Sequence, residues 1–177
     1  MFATGSENLG PHQWRILARR IEELTADSEV DGVVVTHGTD TLEEAAFFLE
    51  LVCKSGKPVV LTAAMRPSTA LSADGPANLF QAVLAATSPQ LQSHGLLVVM
   101  NGLVIPGWQI IKTDSVALDS FHAYPGGPIG KIVGESLLVF GSPNLSPLVG
   151  RFHDHLRNDD ELPFVDIVLL RGGCGDQ

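Results

Sequence analysis

The segment His37-Gly-Thr-Asp-Thr41 sets two hydroxyls around one carboxylate. A hydroxyl beside a carboxylate suits acyl transfer, in which an oxygen nucleophile attacks a carbonyl while neighbouring groups move the proton. Gly38 has no Cβ, so a ligand can approach the backbone there. The same residue types have a second use, because Thr and Asp at the start of a helix cap it by accepting from its first N–H groups. Thr39 and Thr41 can therefore cap a helix or face a crevice, and residue type alone leaves both open.

The flanking pattern says which elements must position this segment. Asp31 to Thr36 is a short run rich in β-branched residues that predicts a strand, and Leu42 to Cys53 reads as a helix, so the motif sits on a strand-to-helix turn. Upstream, Gln13 to Leu24 places Trp14, Leu17, Ala18, Ile21 and Leu24 on one face of an amphipathic helix, with Pro11 near its start. The alternation continues with a strand at Pro58 to Thr62, a helix at Gly75 to Ala86 and a strand at Gly95 to Met100. Continuous apolar strands alternating with helices predict an α/β fold, a mostly parallel sheet with helices on both faces. Ligands bind such sheets at the carboxyl ends of the strands, here Thr36 to Thr41 and Ala63 to Arg66.

The other polar residues take structural readings. Arg66 is expected to form an ion pair with a carboxylate such as Asp74, and Ser72 to Pro76 a turn that opens a helix. His37 is read as a residue that packs beside the turn or supports the residues of the site from behind. His122, His153 and His155 have no metal-like arrangement with acidic partners and are assigned to solvent or loops, so no metal is expected. Cys53 and Cys174 are read as two free thiols, since they lie far apart and outside any zinc-ligand spacing.

The 177 residues allow one core domain plus an appendage. With 11 Lys and Arg against 20 Asp and Glu, the formal net charge is −9 and the cations are scattered, so nucleic acid is not an expected partner. No stretch approaches the ~18 apolar residues of a membrane span, and the first residues lack a signal-peptide pattern. Cytoplasmic location is the default expectation, with a periplasmic one left open if the sequence starts late. No Gly-x-Gly-x-x-Gly turn or phosphate loop follows a strand, which disfavours a nucleotide-binding domain.

Gly32 to Glu50 (GVVVTHGTDTLEEAAFFLE) followed by Lys57 to Val83 (KPVVLTAAMRPSTALSADGPANLFQAV) resembles the bacterial-type L-asparaginase/glutaminase family. The likeness extends upstream to Thr4–Ile21 (TGSENLGPHQWRILARRI) and downstream to Met100–Phe121 (MNGLVIPGWQIIKTDSVALDSF). The resemblance implies hydrolysis of L-asparagine to L-aspartate and ammonia through an acyl-enzyme on a Thr, without a cofactor. It implies that Thr39, Asp40 and Lys112 form a catalytic group that activates a nucleophile and handles protons. It further implies that the Ser6 hydroxyl and the side chain or backbone of Glu7 bind the substrate's α-carboxylate and amino group, that Gly38 lines the site, and that the Ala64 carbonyl meets the side-chain amide. A small-molecule substrate, L-asparagine or L-glutamine, and assembly as a homo-oligomer follow from the same resemblance.

The sequence also departs from the family pattern. Members begin with a Thr-Gly-Gly-Thr-Ile segment, whose first Thr is the usual nucleophile, and a mobile loop with a Tyr; neither is found here. The expectation is an N-terminal domain truncated at both ends. Its parts would be an α/β domain over 1–140, incomplete at its start, a linker over 141–163, and the first strand of a truncated C-terminal domain over 164–177, with Phe164 to Leu170 as that strand. Such an isolated chain is expected to have weak or no asparaginase activity, with Thr39 itself as a nucleophile left open. The alternative is a non-catalytic amino-acid-binding or interaction domain that binds aspartate or asparagine without releasing ammonia.

Overall fold

A computed structural model describes residues 3–140, 148–156 and 162–168. The elements run α1 (Pro11–Ala26), β1 (Val33–Thr36), α2 (Leu42–Val52), β2 (Val59–Thr62), α3 (Gly75–Ala86), β3 (Leu96–Met100), β4 (Leu103–Pro106), β5 (Ile110–Lys112), β6 (Phe121–Ala123), β7 (Gly130–Val133) and β8 (Ser136–Val139). Six strands form one sheet in the order β1-β2-β3-β4-β7-β8, and β5 and β6 form a separate two-stranded ribbon.

Strands β1, β2 and β3 are parallel, with Val33 opposite Val59 and Val59 opposite Leu96. Side chains alternate across a strand, so each of these strands feeds two cores. On one face Val59, Leu61, Leu96, Val98 and Met100 pack against Trp14, Ala18 and Ile21 of α1 and Leu42, Ala45, Ala46 and Leu49 of α2. On the other, Val60, Leu97 and Val99 pack against Ala82, Ala85 and Ala86 of α3. Burial of both faces explains why these strands read as unbroken apolar runs. This is the α/β arrangement expected from sequence, and α3 has the predicted bounds.

Beyond β3 the sheet continues through antiparallel pairings that the sequence reading did not place: β3 with β4, β4 with β7, and β7 with β8. The β3–β4 hairpin turns on Asn101 and Gly102, both with positive φ (48° and 77°), between the paired residues Met100 and Leu103. Asn-Gly is the residue pair that tolerates this backbone in a two-residue hairpin, so the signal was in the sequence.

Within the predicted 141–163 linker, the stretch around Gly150–His153 is bound to the domain. Gly150 N–H donates to Glu50 O and Phe152 N–H to Leu51 O, both at 2.9 Å. His153, assigned above to solvent or loops, sets its Nε2 2.7 Å from Glu22 Oε1 on α1. Within the segment read as a further strand, Phe164–Val168 has no strand pairing, and Phe164, Val165, Ile167 and Val168 are exposed; residues 169–170 lie outside the described part. An apolar run becomes a strand only where an edge accepts its hydrogen bonds, and this run meets none among the described residues. Cys174 also lies outside the described residues.

Candidate active site

Parallel pairing brings the two predicted strand ends together. Thr36 lies opposite Thr62, and one residue further on His37 N–H donates to Thr62 O at 2.9 Å, so the turn after β1 sits beside the turn after β2. His37 turns its ring back on its own backbone, with Nδ1 2.8 Å from Gly38 O, while Nε2 is buried without a partner. That agrees with a packing residue.

Lys112, at the end of β5, reaches across 73 residues of sequence to the turn before α2. Its Nζ lies 3.1 Å from Thr39 O and 3.2 Å from Thr39 Oγ1. Asp40 Oδ1 is 3.8 Å from the same nitrogen. The Lys112 side chain is only 18% exposed, and its ammonium stands 5.8 Å from the centre of the Phe121 ring, within cation–π range. Asp40 is 62% exposed, and a pair with one partner that open contributes little stability. Stability therefore does not explain why a lysine head is aimed at a threonine hydroxyl. Accepting from Lys112 leaves the Thr39 hydroxyl with its own proton to donate.

Ser6 sits in a short 3-10 turn (Ser6–Asn8) and is buried. Its Oγ accepts from Asp40 N–H at 3.1 Å, and its carbonyl accepts from Thr41 Oγ1 at 2.8 Å. Thr41 therefore does not cap α2 with its side chain, although it occupies the N-cap position. Gly38 is where this loop comes closest: a Cβ there would lie 2.4 Å from Ser6 Oγ and 2.7 Å from Ser6 Cβ. Glu7 is exposed and holds its neighbour Asn8 (Nδ2 to Oε1, 3.2 Å) rather than the Thr39–Lys112 group.

Ala64, exposed at the end of β2, has no hydrogen bond to that group, but its surroundings are fixed on both sides. Asn78 Nδ2 donates to Ala63 O at 3.0 Å, while the N–H groups of Met65 and Arg66 each donate to the Asp74 carboxylate at 2.9 Å. Burial pushes the Asp74 pKa up, but the N–H groups of Met65 and Arg66 and the Asn78 amide outweigh it and hold the carboxyl below its ordinary value. The expected Arg66–Asp74 ion pair is thus a backbone contact, and the Arg66 guanidinium donates to Ser72 O at 3.0 Å. Asn78, buried on α3, also accepts from Asn101 N–H at 3.0 Å and so ties the β2 end to the β3–β4 turn.

Thr39, Asp40, Lys112, Ser6 and Gly38 are therefore brought together, Ala64 lies on the adjoining strand end, and the Glu7 side chain turns away while its backbone stays beside Ser6. The sequence reading missed Glu43, whose Oε1 accepts from Lys112 N–H at 2.7 Å, and Asn78. Neither carries a local signal, since Glu43 resembles any acidic residue in a first helical turn. Among the described residues no group of three or more His, Cys, Asp or Glu could hold a metal ion.

The family model described as "Asparaginase, N-terminal" matches residues 1–145. L-asparaginase 2 of Bacillus subtilis (strain 168) is 43% identical over 164 residues, 93% of this chain and 43% of the relative. Glutaminase-asparaginase of Pseudomonas fluorescens biotype A is 38% identical over 171 residues, 97% of this chain and 47% of the relative. Among solved structures, that of a probable cytoplasmic L-asparaginase from Campylobacter jejuni superposes with a TM-score of 0.74 at 43% identity, covering 77% of this chain and 43% of the other. The chain spans less than half the length of these relatives.

Proposed function

The chain belongs to the asparaginase family, and from that premise we propose that it carries the proton-handling half of an amidohydrolase site in which L-asparagine is converted to L-aspartate and ammonia. The observation that carries this reading is the Lys112 Nζ set on both oxygens of Thr39 at 3.1 and 3.2 Å. In the reaction a threonine oxygen bonds to the side-chain carboxamide carbon, the C–N bond breaks, and the threonine's proton leaves with ammonia. Water then cleaves the acyl ester and regenerates the hydroxyl. Thr39 and Lys112 relay that one proton: Lys112 takes it from the attacking hydroxyl and passes it through the Thr39 hydroxyl to the departing nitrogen, so both end the step as they began it. Asp40 balances the lysine's charge at the mouth of the crevice. Ser6, fixed by Asp40 N–H, and the carbonyl of Ala64 are read as contacts to the substrate's polar ends, with Glu7 able to join by rotation of its exposed side chain.

L-glutamine is the second substrate on this reading, one methylene longer. Copies of the same protein are the other expected partner, with no role for nucleic acid or membrane, and the cytoplasm is the proposed compartment. Among the described residues no helix is long and apolar enough to cross a membrane. Residues 1–140 are read as one α/β domain, 141–163 as its connection and 164–177 as the start of another, for which the exposed apolar run at Phe164–Val168 is the support.

The test is ammonia release from L-asparagine, with Asp40→Ala and Lys112→Met variants in parallel. Steady release that both variants reduce at least 100-fold supports the reading. Folded protein that binds L-aspartate but releases no ammonia refutes catalysis and leaves an amino-acid-binding domain.

A further inference from the structure

We propose that Glu43 is a positioning residue that sets Lys112 against Thr39; this rests on the amidohydrolase reading above. The ribbon of β5 and β6 shares no hydrogen-bonded pairing with the six-stranded sheet, so the sheet's ladder does not fix where Lys112 stands. On one side the ribbon is closed by its own pairing, with Lys112 opposite Phe121 and Thr113 N–H donating to Ser120 O at 2.8 Å. The Lys112 N–H is left for a partner outside the ribbon, and Glu43 Oε1 takes it at 2.7 Å across 69 residues of sequence.

Glu43 lies one turn after Thr39 on the segment that begins α2. A closed circuit results: Thr39 runs through the helix start to Glu43, Glu43 holds the Lys112 backbone, and the Lys112 side chain returns to Thr39 O and Oγ1. A lysine side chain has several soft torsions, so the origin of its backbone decides which oxygens its nitrogen can reach. Glu44, the other acidic residue of the first turn, is exposed and can meet the helix's positive end alone. The 2.7 Å contact of a Glu43 carboxylate oxygen with the lysine's own N–H is not explained by that role.

The circuit makes separate predictions for geometry and for charge. Glu43→Gln keeps an acceptor at the same reach, Glu43→Asp keeps the charge but draws the acceptor back by one methylene, and Glu43→Ala removes both. The experiment is steady-state asparagine hydrolysis by the full-length protein, together with the rate at which an amine-acylating reagent labels Lys112, read by mass spectrometry. Displacement on the order of 1 Å is expected to lower kcat about 10–100-fold in the Ala and Asp variants with little change in KM. Lys112 labelling should rise several-fold in both, while the Gln variant stays within about threefold of wild type on each measure. The inference is overturned if the Asp and Ala variants keep both kcat and labelling, or if Gln loses as much as Ala. Should Ala fail to fold, the Asp and Gln pair decides alone. If wild-type protein hydrolyses no amide, the functional reading fails, and the labelling pattern still reports whether Glu43 positions Lys112.

Discussion

Glu50, on the inner face of α2, provides a test of the energetics far from the reacting groups. It is 2% exposed; its Oε2 accepts from Leu96 N–H at 2.8 Å, and Oε1 is buried with no partner. The surroundings are Leu49, Cys53, Val59, Leu96 and Val149. Burial raises the carboxyl from its ordinary 4.5 to about 7, against the opposing pull of the Leu96 N–H, and pushes the neighbouring Cys53 thiol to about 12, so that it stays neutral. Because the folded value lies above the unfolded one, the folded chain keeps this proton where the unfolded chain has released it. The neutral acid's contribution is complete below about pH 4.5 and is lost as pH rises through about 7. The difference, 7 − 4.5, corresponds to on the order of 3 kcal/mol lost from acid to alkaline pH. Glu50→Gln preserves an acceptor for Leu96 and resembles the protonated acid at every pH. Urea unfolding of both proteins from pH 5 to 8 is the assay, with shared titrations cancelling in the difference. The variant's advantage over wild type should be below about 1 kcal/mol at pH 5 and grow by about 2–3 kcal/mol by pH 8. A difference constant within about 0.5 kcal/mol over this range would refute the burial argument.

Three further outcomes follow from the site's scaffolding. Asn78→Ala leaves the Ala63 carbonyl and the Asn101 N–H without partners and should cost about 2–4 kcal/mol in thermal or chemical unfolding. The Asp74 carboxyl, held below its ordinary 3.8, contributes stability that is present above that value and lost as pH falls below it. Asp74→Asn should therefore flatten the acid limb of a stability-versus-pH curve, and an unchanged limb would count against the contact. Gly38→Ala drives a Cβ to 2.4 Å from Ser6 Oγ, so L-aspartate binding measured by calorimetry should weaken at least about tenfold; adding Ser6→Gly should recover stability without recovering affinity.

The features legible in the sequence were those with a period or an unbroken apolar run. The apolar stripe of α1 and the Leu42–Val52 helix repeat at helical spacing, β1 to β3 read as continuous apolar runs, of which β2 and β3 are buried throughout, and Gly75–Pro76 marks the start of α3. The antiparallel extension was signalled by Asn101-Gly102 and overlooked, because Leu103–Pro106 is too short to show alternation. Phe164–Val168 has the composition of a strand but no neighbouring edge among the described residues, and composition does not report pairing. Thr39 and Asp40 were legible as types on a turn, and Ser6 and Lys112 only through the segments that carry the family resemblance. The bonds that join them span 34, 69 and 73 residues, a separation at which no local pattern carries information.

Those three bonds converge on the start of α2, and the convergence has a physical cause. A helix start presents N–H groups that need acceptors, and most helices meet the need with their own N-cap side chain. Here the N-cap Thr41 gives its hydroxyl to Ser6 O, and Asp40 N–H, one residue upstream, is satisfied by Ser6 Oγ from another loop. A region that could have been closed locally is held by the loop carrying Ser6, while Lys112 and Glu43 fix the ribbon to the same turn. Movement of either the loop or the ribbon therefore uncovers N–H and hydroxyl donors beside Thr39, where an anionic or amide group can replace the lost partner. The order of the turn and the occupancy of the crevice are coupled, so substrate binding should protect the amide hydrogens of Asp40 and Lys112 from exchange together. Protection of one without the other would separate the Ser6 loop from the ribbon and break the coupling.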